Sequence, residues 1–119
     1  MLILVVEDNL LNQELVTDLL EMSGHTVVSA DSGECALDIA RQQPLDLILM
    51  DVSLPGKDGL TTTAGLKADP ATRHIPVVAV TAHSMAKDKE RILAAGCDGY
   101  VTKPIDVTTF VSEVERFKK

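Results

Sequence analysis

Short unbroken apolar runs recur along this chain, and each stops on a polar group. Leu2-Ile3-Leu4-Val5-Val6 gives way to Glu7-Asp8-Asn9, Leu47-Ile48-Leu49-Met50 to Asp51, and Val77-Val78-Ala79-Val80 to Thr81. Runs of this length with no polar alternation read as strands buried on both faces, the habit of parallel sheets covered by helices. Thr26 to Ala30 and roughly Gly99 to Thr102 complete five β-prone stretches.

The segments between them carry helical spacing and caps. Asn9 opens a helix in which Leu11, Leu15, Leu19 and Met22 recur at roughly helical intervals, and Gly24 stops it. Asp31-Ser32-Gly33 opens a second with Ala36, Leu37, Ile39 and Ala40 on its apolar side, and Pro44 ends that unit. A third begins near Asp58-Gly59. Because Thr61, Thr62, Thr63 and Gly65 are poor helix formers, this helix is expected to be short or mobile. Ser84 caps a fourth through Ala95, closed by Gly96, and a fifth starts near Asp106 with Phe110, Val111, Val114 and Phe117 as its amphipathic stripe. Strands alternating with helices give an α/β fold, because parallel neighbours are joined by right-handed helical crossovers.

At 119 residues the chain has the common size of one domain. Residues 1–119 are read as one unit, with no linker and no attached output domain. The apolar share is 45% and no apolar run approaches a membrane span, so no membrane association is expected. Met1 leads straight into Leu2-Ile3-Leu4 with no basic leader, which makes the cytoplasm the expected address. A net charge of -7 opposes binding to phosphate backbones, and direct nucleic-acid contact is not expected. Cys35 and Cys97 lack a Cys-x-x-Cys partner or zinc spacing and read as buried free thiols. No Gly-x-Gly-x-x-Gly or Gly-x-x-x-x-Gly-Lys-Ser/Thr occurs to support dinucleotide or P-loop chemistry.

The polar strand ends are where the chemistry is expected. In open α/β sheets ligands bind at the carboxyl edge, and this chain places Glu7, Asp8, Asp51, Thr81 and Lys103 there. Three carboxylates at one edge repel one another unless a cation sits among them. An all-oxygen donor set favours Mg²⁺, with Mn²⁺ as a substitute, over zinc. A carboxylate beside such an ion can attack phosphorus, while a Lys neutralises phosphoryl oxygens and a Thr hydroxyl donates to one. Taken singly, Lys103 is an ordinary solvated charge and Thr81 an ordinary β-branched strand residue.

Val6-Glu7-Asp8-Asn9, Leu49-Met50-Asp51-Val52-Ser53-Leu54-Pro55-Gly56-Lys57-Asp58-Gly59, Val80-Thr81-Ala82 and Tyr100-Val101-Thr102-Lys103-Pro104 together resemble the receiver domain of two-component response regulators, single-domain type. The resemblance spans essentially the whole chain. It implies a flavodoxin-like (βα)5 three-layer sandwich with strand order 2-1-3-4-5. By the same resemblance Asp51 is the phospho-acceptor, supplied by a histidine kinase or histidine phosphotransfer protein. Asp8, Asp51 and the backbone carbonyl of Ser53 bind Mg²⁺, with Glu7 acting through a metal-bound water. Lys103 and Thr81 contact the phosphoryl group, Tyr100 is the switch aromatic that follows Thr81, and the Lys103-Pro104 bond is cis. The face made by the fourth helix, fifth strand and fifth helix, about Ser84 to Phe117, carries the output to a downstream protein, with Lys87, Lys89 and Arg91 able to steer an acidic partner.

The implied function is a phosphorylation-controlled interaction module rather than an enzyme on external substrates, its only catalysis being its own phosphoryl transfer and autodephosphorylation. A relay intermediate or hybrid-kinase receiver that passes the phosphoryl group onward is the alternative. A Mg²⁺-dependent aspartyl phosphatase of the haloacid dehalogenase type is more remote, since Ser53 stands where such enzymes carry a second Asp.

Overall fold

A computed structural model describes residues 1–52, 59–81, 86–102, 106 and 108–117. Strands β1 (Leu2–Val6), β2 (Thr26–Ala30), β3 (Leu47–Asp51), β4 (Val77–Thr81) and β5 (Gly99–Thr102) alternate with helices α1 (Leu10–Met22), α2 (Gly33–Gln42), α3 (Gly59–Ala68), α4 (Ala86–Ala94) and α5 (Phe110–Glu115). The strands form one parallel sheet in the order β2-β1-β3-β4-β5. The parallel α/β sheet is what the strand pattern implies, and its order is the flavodoxin-like one that the resemblance implies. Of the three interior strands, β3 and β4 are buried at every position, which is why their sequences carry no polar alternation.

Successive residues of each strand face opposite sides and feed two cores. Leu4, Val6, Ile48, Met50, Val77 and Ala79 pack with Ala36 and Ala40 of α2, Leu66 of α3 and Ile92 of α4. Ile3, Val5, Leu47, Leu49, Val78 and Val80 pack with Val16 and Leu20 of α1 and Phe110 and Val114 of α5. At about 25 cal/mol per Å² of apolar surface, these two layers supply most of the driving force for folding.

Local chemistry sets the helix ends. The Asn9 side chain accepts from the Asn12 N–H at 3.1 Å and the Ser32 hydroxyl accepts from Cys35 N–H at 3.2 Å, each satisfying a donor that the first turn leaves unpaired. After α1 and α4 the chain turns at Gly24 (φ 91°) and Gly96 (φ 102°), left-handed positions that glycine occupies without strain.

Two expectations, for α3 and α5, need correction, and burial resolves the spacing in α1: Leu11, Leu15 and Met22 are 77%, 39% and 85% exposed, and the buried stripe is Val16 and Leu20. The helix carries two apolar stripes on roughly opposite sides, and spacing alone does not choose between them. Helix α3 is not short but runs ten residues. Its Thr62 and Thr63 are fully buried, so packing against α2 and the sheet overrides weak propensity. Helix α5 begins at Phe110 rather than near Asp106. Asp106 instead caps a turn, its carboxylate accepting from Thr108 N–H (2.9 Å) and the Thr108 hydroxyl (2.6 Å). The proposed Ser84 cap lies outside the described residues.

Candidate functional site

The site is built from strand ends. Register pairs Val6 with Met50, so the next residues, Glu7 and Asp51, emerge side by side past the carboxyl ends of β1 and β3. Glu7 is 6% exposed, Asp51 3%, and Asp8 is open to solvent. One carboxylate oxygen from each of Glu7, Asp8 and Asp51 lies within 4.8 Å of the others. Three acids at that spacing, two of them withdrawn from water, repel each other strongly, and an all-oxygen set of this size suits a hard divalent cation.

The turn after β1 is held firmly. Glu7 N–H donates to the Ala30 carbonyl at 2.9 Å, tying it to the end of β2. Its carboxylate accepts from Asn9 N–H at 3.2 Å, and the Gln13 side-chain amide donates to the Glu7 carbonyl at 3.2 Å. Gln13 escaped the sequence reading: a polar residue on the first turns of a helix gives no sign that it reaches back to the preceding strand.

Thr81 ends β4 and is 2% exposed. Alternation puts it on the same face of the sheet as Val77 and Ala79, the face against which half-buried Tyr100 packs from β5. The two strand positions sit on neighbouring strands, with Ala79 opposite Tyr100 and Thr81 opposite Thr102. Ser53, Lys103 and Pro104 lie outside the described residues, as do the side chains of Lys87 and Lys89. Arg91, on α4, is exposed.

Away from this edge, Cys97 is 5% exposed at the foot of β5, its thiol pushed upward in pKa chiefly by burial, and Cys35 is half-buried; both are free thiols. On the same side Lys67 Nζ bridges the Asp98 carboxylate (2.9 Å) and the Ile75 carbonyl (2.8 Å), and Asp98 also accepts from Val77 N–H (2.8 Å). That cluster secures the amino-terminal end of β4 and is remote from the acids.

Residues 3–115 match the model of the response regulator receiver domain family. The chain belongs to that family. It is 48% identical over 115 residues to the polar-differentiation response regulator DivK of Brucella ovis, an alignment covering 97% of this receiver and 94% of that protein. Among solved structures, it superposes with a TM-score of 0.89 and 34% identity on the receiver domain of a sensor histidine kinase from Pseudomonas aeruginosa, covering 98% and 95% of the two chains. That structure holds a magnesium ion coordinated in its active-site cleft. A second, with a TM-score of 0.92, 26% identity and coverage of 99% and 88%, is the receiver domain of a response regulator in complex with a histidine phosphotransfer signalling protein from Saccharomyces cerevisiae. Two-component signal transduction is therefore the setting in which this receiver works.

Proposed function

We propose that this receiver, residues 1–119 acting as one unit, accepts a phosphoryl group on Asp51 from a histidine kinase or histidine phosphotransfer protein, and that the modified state binds a downstream protein differently. The observation that carries the reading is the cluster of Glu7, Asp8 and Asp51, with ligand oxygens within 4.8 Å of one another at the carboxyl edge of the sheet. The donor set fits Mg²⁺: Asp8 and Asp51 would hold it directly with the Ser53 carbonyl, and Glu7 through water. Mg²⁺, or Mn²⁺ in its place, supplies neutralisation of acid charge and of phosphoryl oxygens.

The chain's own groups do the rest. An Asp51 carboxylate oxygen attacks phosphorus as the bond to the donor's nitrogen breaks, and burial of Asp51 keeps bulk water from competing. Lys103 and the Thr81 hydroxyl contact the phosphoryl oxygens. Movement of Thr81 opens or fills space on the face where Tyr100 packs, which biases that ring inward or outward and changes the surface of α4, β5 and α5. Arg91 and Leu93, 57% exposed, lie on that surface. Catalysis is confined to the domain's own phosphorylation and autodephosphorylation, in the cytoplasm and without nucleic acid or membrane as partner. Among the described residues no helix is long and apolar enough to cross a membrane.

Exposed Leu10 and Leu11 follow Asp8 after the Asn9 cap, and Leu11, Leu15 and Met22 fall within about 40° on the helical wheel. Glu14 and Asp18 border the stripe. The start of this α1 face lies beside the acidic edge, and an apolar stripe with an acidic border would suit a phosphodonor surface that is apolar with a basic rim. Onward transfer to a second histidine protein uses the same site in reverse, a reading favoured by likeness to the kinase-borne receiver.

The test is transfer from a phosphorylated histidine phosphotransfer protein. Label is expected to move to the wild-type receiver with Mg²⁺ and not to Asp51→Asn; label on the Asp51→Asn variant would relocate the acceptor. Leu11→Ala with Leu15→Ala is expected to slow this transfer at least tenfold while leaving phosphorylation by acetyl phosphate unchanged, since only the protein donor needs the α1 face. Equal effects on both donors would remove α1 from the docking surface.

A further inference from the structure

The first turn of α3 presses on Asp51 from behind. A Cβ on Gly59, the first residue of α3, would overlap the Asp51 carbonyl oxygen, 2.9 Å from the Asp51 carbonyl carbon and 3.0 Å from Val52 Cα. These are backbone atoms, which cannot swing aside as the tip of a flexible side chain does. The peptide joining Asp51 to Val52 is pinned elsewhere too, since Val52 N–H donates to the Val80 carbonyl (3.1 Å), and the peptide after it is held by Gly59 N–H, which reaches the Val52 carbonyl (3.4 Å).

Helix α3 has no room to recede. A Cβ on Gly33, the first residue of α2, would overlap the hydroxyl of fully buried Thr62 and lie 3.2 Å from Thr62 Cβ. The turn is tied within itself by the Thr63 hydroxyl, which donates to the Gly59 carbonyl at 2.8 Å. Residues 59–63 thus form a wedge between the end of β3 and the start of α2. Gly65 differs: its Cβ would meet only the Leu37 Cδ2 methyl at 3.7 Å, an ordinary contact.

We propose that Gly59 is a positioning residue for the acceptor: it lets the α3 wedge rest on the peptide after Asp51, and so fixes the plane from which the Asp51 carboxylate is aimed. The proposal rests on Asp51 being the phosphoryl acceptor. The peptide is rigid, so displacing its carbonyl turns the Asp51 Cα and the carboxylate with it. A shift on the order of 1 Å at a reacting group can cost about 100-fold in rate.

The experiment compares wild type, Gly59→Ala, Gly33→Ala and Gly65→Ala at a temperature where each is folded. One readout, hydrogen exchange at Val52 N–H, needs no phosphorylation. The other is the rate of phosphorylation by acetyl phosphate with Mg²⁺, resolved into its saturating value and its half-saturating concentration. Gly59→Ala is expected to speed Val52 exchange and to lower the saturating rate, each by about tenfold or more, with half-saturation held within about twofold. Gly33→Ala, which squeezes the wedge from its other side, should give the same signature more weakly, and Gly65→Ala neither effect. Wild-type exchange and rate in folded Gly59→Ala, or equal losses in Gly65→Ala, would overturn the proposal. If Gly59→Ala does not fold, Gly33→Ala decides by the same criteria. If wild type itself takes up no phosphoryl group, the acceptor reading fails, while Val52 exchange still accepts or rejects the wedge.

Discussion

Burial silences a reactive group at Cys97. Desolvation raises its thiol pKa, outweighing the hydrogen bond to the Thr63 hydroxyl (3.8 Å), which lowers it. Native protein treated with a thiol reagent at mildly alkaline pH is expected to label at half-buried Cys35 first and at Cys97 only on unfolding; equal labelling rates would show the β5 foot to be open. The sign of the pH effect follows. Below the ordinary thiol value of 9.0 both states keep the proton, and above it the unfolded chain loses its proton first, so Cys97 makes stability fall as pH rises past 9.0. Asp106 and Asp69 work at the other end. Thr108 lowers the first, while the Ala71 N–H and then Arg41 lower the second, so their contributions are present above the ordinary carboxylate range and fade as pH falls through the depressed values. Urea midpoints measured across pH should decline on both flanks, and Cys97→Ala should flatten the alkaline one. Glu7, Asp8 and Asp51 were legible as a group rather than singly: one acid after an apolar run reads as a turn cap, whereas acids ending two neighbouring strands meet at one edge. Gly59 was not, since a glycine that opens a helix looks the same whether or not a backbone lies behind it.

At the scale of elements, α1 separates what spacing shows from what burial decides. Leu11 and Leu20 are both leucines on good helical stripes, yet one is 77% exposed and the other fully buried. Leu20→Ala is expected to cost about 2–5 kcal/mol and Leu11→Ala about 0.5 kcal/mol or less in urea unfolding. Similar costs would mean that the helix is rotated from the orientation described. Asn9→Ala, which removes the α1 cap, should cost about 1 kcal/mol. The strands were readable to within a residue because β3 and β4, buried throughout, are apolar up to a single polar last residue, Asp51 or Thr81, that marks the end. Helix α3 was misjudged because its support is tertiary: Thr62 and Thr63 are held by α2 and the sheet, which lie far off in sequence. The start of α5 was misplaced because Asp106 is equally suited to capping a helix and to capping a turn.

For the whole molecule, the order β2-β1-β3-β4-β5 gathers acids from distant parts of the chain at one edge, with ligand oxygens of Glu7, Asp8 and Asp51 within 4.8 Å of one another. An architecture that concentrates repulsion there is stabilised by whatever neutralises it. Mg²⁺ at a hundred times its Kd should add about 2.7 kcal/mol to folding, seen as a rise in Tm that Asp51→Asn with Asp8→Asn reduces. A Tm unmoved by millimolar Mg²⁺ would speak against the ion. The most direct measurement is the intact mass of the receiver after incubation with acetyl phosphate and Mg²⁺, beside Asp51→Asn. One phosphoryl adduct on wild type and none on the variant is the predicted result; an adduct that persists in Asp51→Asn, or no adduct on either protein, would contradict it.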